Sequence, residues 1–99
     1  MNVEEHLLIC LAEECAEVAQ ACSKALRFGL ADQWPERGDI TNAENIAREL
    51  EDLFGVVRML YARGMIRDCD NARTLAKSRK VANYMAYARA RGTLEPERA

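Results

Sequence analysis

Apolar residues recur along this 99-residue chain at the three- and four-residue spacing of amphipathic helices, in three separate runs. The first lies within LLICLAEECAEVAQACSKALRF. It predicts a helix from about Asn2 to Phe28 that stops at Gly29, a residue suited to a helix C-cap. The second opens at TNAE, where Thr41 can cap the N-terminus and Glu44, three residues on, completes a capping box. It runs to about Arg63 and stops at Gly64. The third starts near DCDN, with Asp68 or Asp70 as its cap, and ends at Gly92. The tail TLEPERA is polar and is expected to fray over 93–99. No alternating strand pattern, internal repeat or low-complexity stretch breaks this picture. The expected fold class is all-α, a bundle of three main helices in one domain spanning 1–99.

The connection between the first two helices, 28–41, is GLADQWPERGDI in its central part. It holds two glycines, a proline and the only tryptophan, Trp34. Connections in helical bundles usually take about 2–8 residues, and longer ones are often functional. Trp34 either folds back onto the core or faces a ligand.

The polar positions inside the apolar runs matter most. With about 100° per residue and Leu7 at 0°, Leu11, Cys15, Val18, Cys22, Ala25 and Leu26 fall between 0° and 100°. Cys10 and Ala21 extend the stripe back to about 300–320°. Glu14 lands near 340°, inside the apolar arc, Glu17 near 280° on its border, and Glu13 further out near 240°. The second helix repeats the arrangement. With Ile46 at 0°, its apolar arc covers about 280° through 0° to 80°, Glu49 falls near 300° and Asp52 near 240°. Glu51 and Arg48 point away. EECAE and ELED therefore each turn a pair of carboxylates, spaced i and i+3, toward a packing face.

Solvated edge positions or arginine partners would explain one such pair. Two pairs on two helices are harder to explain, because an unpaired buried carboxylate costs several kcal/mol or is forced to protonate. A divalent cation removes the difficulty. An all-oxygen set without histidine suits Mg²⁺ or Mn²⁺. Di-iron bundles usually add Glu-x-x-His motifs, which are absent here.

The third helix supplies the opposite sign. Arg73, Lys77, Lys80, Tyr84 and Arg91 share one face, and Leu75, Val81, Ala82 and Met85 another. Lys77 and Lys80 are candidates for phosphate contact, as are Lys24 and Arg27 at the end of the first helix. Residues 1–62 hold 12 acids and 5 bases, and residues 63–99 hold 4 acids and 9 bases. The split fits cations held near one end and anions near the other, or two halves that pair with each other.

The four cysteines, Cys10, Cys15, Cys22 and Cys69, form no C-x-x-C pair. Three follow the apolar side of one helix and read as small buried thiols in a reducing compartment. No apolar run approaches the roughly 18 residues of a membrane span. The acidic start MNVEEHLL lacks a basic leader region, so a cytoplasmic location is expected.

EECAE, then 31 residues, then ELED resembles the EExxE…ExxD signature of the MazG-like all-α nucleoside triphosphate pyrophosphohydrolases. ALRFG, which follows the first motif, and NAENIARELEDLFGVV, which contains ELED, are similar to stretches of the short single-domain members of that group. The likeness covers about 7–63 well and the third helix loosely. It implies Mg²⁺-dependent hydrolysis of nucleoside triphosphates between the α and β phosphates. Carried over by motif position, it implies Glu14, Glu17, Glu49 and Asp52 as metal ligands, Glu13 and Glu17 as catalytic acids that bind metal or orient water, and Lys77, Lys80 and Asn83 as substrate contacts. The spacer is somewhat long for the group, which bears on the loop more than on the acids.

A rival reading is a non-catalytic helical module that binds nucleotide or a partner protein. Nucleic-acid binding through the basic third helix is disfavoured by the pI near 5.4. Three helices of this size do not readily enclose both a core and four carboxylates. A homodimer, or a tetramer built from it, is therefore expected to complete the bundle.

Overall fold

The computed structural model describes residues 1–97, apart from the side chain of Arg37. It is helical throughout: α1 is Val3–Phe28, α2 is Asn42–Ala62 and α3 is Asn71–Arg91, with a short 3-10 turn at Pro35–Arg37. Among the described residues the extended pairing is limited to an isolated antiparallel bridge between Gln33 and Thr41. No described helix is long and apolar enough to cross a membrane. The chain forms two compact units, Met1–Arg67 and Asp68–Ala99.

The helix ends follow local chemistry. Asn2 Oδ1 accepts from the Glu5 N–H at 2.8 Å, Thr41 Oγ1 from the Glu44 N–H at 3.0 Å and Asp70 Oδ1 from the Ala72 N–H at 2.8 Å. Each satisfies an amide that the helix itself leaves without a partner. Glu44 does not face back toward Thr41. Its carboxylate accepts from Arg48 Nε at 3.2 Å, so the capping box is made by its threonine half. At the end of α2 the Gly64 N–H donates to Tyr61 and the Met65 N–H to Leu60, a Schellman closure that needs the left-handed φ of 69° at Gly64.

In the first unit α1 packs on α2. Leu7, Ala21 and Leu60 are buried, and so is one polar residue, Asn42. Leu7, Glu14 and Ala21 are spaced by seven along α1, and Asn42, Glu49 and Val56 by seven along α2. The seam therefore runs along the flank that carries the glutamates. The opposite flank of the predicted α1 arc stays uncovered. Cys15 and Cys22 are exposed, and Leu26 is 88% exposed. This corrects the reading of buried thiols: Cys10 is half-buried, and Cys15, Cys22 and Cys69 are exposed. The three α1 cysteines lie on the arc, but α2 covers only one side of it.

In the second unit α3 buries no residue, and Leu75, Val81 and Met85 are exposed along it. The segment after it is tied back to the helix at its start. The Thr93 and Leu94 N–H groups donate to the Ala88 carbonyl at 3.0 and 3.3 Å, and Arg89 reaches Glu97 at 3.9 Å. Positions 98 and 99 lie outside the described residues.

Candidate metal centre

Glu14 and Glu17 stand one turn apart on α1, and Glu49 and Asp52 one turn apart on α2. Packing of the two helices brings all four together. One carboxylate oxygen from each of Glu14, Glu17, Glu49 and Asp52 lies within 4.8 Å of the other three. Four carboxylate oxygens this close together could serve one oxygen-liganded divalent cation. Glu14 and Glu49 are half-buried at the seam, and Glu17 and Asp52 are exposed at its edge.

Glu14 Oε2 and Glu49 Oε2 are shut off from solvent and have no hydrogen-bond partner. Both groups are held above the ordinary carboxylate range. For Glu14 desolvation is the main cause, followed by the charges of Glu17 and Asp52, then a hydrogen bond with Glu17 and last the charge of Glu13. For Glu49 desolvation again leads, followed by a hydrogen bond and charge from Glu17, then the charges of Asp52 and Glu14. Orphaned inward oxygens, mutual repulsion and an all-carboxylate donor set together fit a hard divalent cation. Glu13 is exposed just outside the cluster.

The remaining candidates fall into two further groups. Lys24, Arg27, Phe28 and Trp34 gather where α1 ends. Phe28 and Trp34 meet edge to face at 5.2 Å, Lys24 Nζ sits 5.1 Å from the Trp34 ring centre, and the Arg27 guanidinium lies 5.1 Å from that of Phe28. Trp34 is half-buried, so it has both a packed and an open side. On α3, Arg73, Ala76, Lys77 and Lys80 line an open hollow of about 320 Å³, Lys80 approaches the Tyr84 ring at 5.9 Å, and Asn83 is exposed.

Sequence reasoning missed three asparagine and arginine positions in the first unit. Asn42 is fully buried, and its Nδ2 donates to the Gly29 carbonyl at 2.8 Å, tying the start of α2 to the end of α1. The Asn42 N–H donates to Asp32 and the Ala43 N–H to Leu30, which close the base of the loop. Asn45 and Arg48, with Ile40, Glu49, Glu51 and Asp52, line a cleft of about 320 Å³ beside the acids. The available signal was spacing: Asn45 precedes Glu49 by four residues and Asp52 by seven, which places it on their edge of α2. Comparison with known families, with curated proteins and with solved structures finds no match.

Proposed function

We propose that this protein is a Mg²⁺-dependent nucleoside triphosphate pyrophosphohydrolase, of the MazG-like kind its motifs resemble. It converts (d)NTP to (d)NMP and pyrophosphate, in nucleotide-pool cleansing or dNTP control in the cytoplasm. One observation carries the reading. Four carboxylates from two helices converge on one point, and two of them end in solvent-excluded oxygens without a partner.

Glu14, Glu17, Glu49 and Asp52 would hold Mg²⁺, or Mn²⁺ in its place. The chemistry a bound ion would supply there is neutralisation of the triphosphate and polarisation of the phosphorus under attack. Glu13 and Glu17 are the bases: a carboxylate within reach of the attacking water takes its proton as the oxygen closes on phosphorus. The α–β bridging bond breaks, and pyrophosphate leaves with the electron pair. Lys77, Lys80 and Asn83 on α3, with Lys24 and Arg27 on α1, are the candidates for stabilising the phosphates as charge gathers on the leaving group. Trp34 is the candidate for the base. The assembly is a homodimer, or a tetramer made from it, in which a lysine or arginine of one copy reaches phosphates held by the other.

The test is pyrophosphate release from a panel of canonical and modified NTPs and dNTPs with Mg²⁺. Release is expected from at least one of them, and Glu17→Gln or Glu49→Gln should abolish it with helix content unchanged. Failure across the whole panel would leave the non-catalytic module as the better reading.

A further inference from the structure

The cleft beside the acids contains a cation whose place was not expected. Arg48 is the one basic residue among the six that line it, and three of the others are Glu49, Glu51 and Asp52. A polyanion lying past the edge of the carboxylate cluster meets those negative charges, and a cation at that edge offsets them.

Arg48 is lightly held. Its Nε donates to Glu44 Oε1 at 3.2 Å, one turn back, with the two side chains 57% and 52% exposed. An exposed pair of this kind contributes little to stability and is readily exchanged. The pairing also has a direction. Arg48 is four residues after Glu44 and four before Asp52, and the order with the acid N-terminal is the stronger of the two. The arginine is paired with Glu44 and not with Asp52 in the structure. A guanidinium fork engages two phosphate oxygens at once, and a polyphosphate offers more charge than the single carboxylate it replaces. Asn45, also lining the cleft, adds an amide donor.

We infer that Arg48, with Asn45 beside it, binds the phosphate chain of the substrate, Arg48 leaving Glu44 as the chain enters the cleft. The inference rests on the pyrophosphohydrolase reading and adds a contact on the second helix that its motifs do not name.

Calorimetry on the full chain in saturating Mg²⁺, with inorganic pyrophosphate as the titrant, tests it. Arg48→Ala is expected to weaken pyrophosphate by about tenfold or more, as loss of a charge-assisted hydrogen bond does. Arg48→Lys should recover part of the loss, and Asn45→Ala should give a smaller one. Mg²⁺ affinity measured without pyrophosphate, and helix content, should stay at wild-type values. In turnover, Arg48→Ala should raise KM more than it lowers kcat. Wild-type pyrophosphate affinity in Arg48→Ala would overturn the inference. So would weakened binding of a nucleoside monophosphate with pyrophosphate untouched, which would make Arg48 a base or sugar contact. A wild-type protein that binds pyrophosphate through Arg48 yet hydrolyses no nucleotide would support this contact and sink the enzymatic reading alone.

Discussion

Glu14 and Glu49 show how far a single residue's surroundings can be read ahead of its structure. Their inward direction was legible, because helical periodicity places them on the apolar flank. Asn42 was not: one asparagine at the start of a helix is ordinary in a sequence, and its bond to Gly29 spans 13 residues. Both raised carboxylates bear on stability with the same sign. Below the ordinary carboxylate range they are protonated in the folded and unfolded chain alike, and their contribution is fully present. As pH rises through the elevated values, the folded state holds protons that the unfolded chain has already released, and that stability is lost. Metal-free protein should therefore lose melting temperature as pH rises above the ordinary carboxylate range, and saturating Mg²⁺ should reduce or reverse the loss. Melts from that range upward, with and without Mg²⁺, check it; a flat metal-free profile would contradict it. In the same assay Glu14→Gln or Glu49→Gln should raise the metal-free melting temperature at neutral pH, because the substitution removes a desolvated, repelled charge. Asn42→Ala should lower stability by about 1 kcal/mol, through loss of the hydrogen bond from its buried side chain to Gly29, and urea denaturation measures it.

At the scale of the element, the helix boundaries were readable because caps are local: Asn2, Thr41 and Asp70 each bond an amide two or three residues away. Which flank of a wide apolar arc meets a neighbour was not readable, since the periodicity of one helix carries no information about its partner's position. The packed flank proved to be that of Leu7, Glu14 and Ala21, which left Cys15, Cys22 and Leu26 outside. The loop carries the only tryptophan, between Phe28 at 5.2 Å and Lys24 at 5.1 Å. Nucleotide with Mg²⁺ is expected to change Trp34 emission, because any shift of Lys24 toward phosphate removes a cation from the indole face. Fluorescence titration beside calorimetry is the check, and unchanged emission at saturation would assign Trp34 to packing alone.

For the molecule as a whole, the distribution of apolar surface argues for a second copy. Leu26, Leu30 and Phe54 are each more than half exposed. Leu26 and Leu30, with Cys22, Ala25 and Ile46, line an open apolar recess of about 260 Å³. Monomeric proteins rarely leave so many large apolar side chains open, and a two-fold partner covers such a face with the same face. Sedimentation equilibrium at micromolar concentration should report a dimer or a multiple of it. A well-folded, fully active monomer there would contradict the assembly. In the sequence the same expectation rests on three helices being too few to enclose both a core and four carboxylates.

The loop that joins α1 to α2 is pinched at its base. Asn42 and Ala43 bond back to Asp32 and Leu30, Asn42 reaches Gly29, and Gln33 bridges Thr41. The distance between the two acidic motifs in space is thus set by this neck and not by the number of residues beyond it. Residues added around Pro35–Gly38 would enlarge a surface excursion while the carboxylates kept their places, at about 0.6 kcal/mol for each doubling of a flexible loop. The interval separating EECAE from ELED is then a poor yardstick of kinship. A chain with a different interval would bring its four carboxylates together in the same way, provided the residues of the neck were kept.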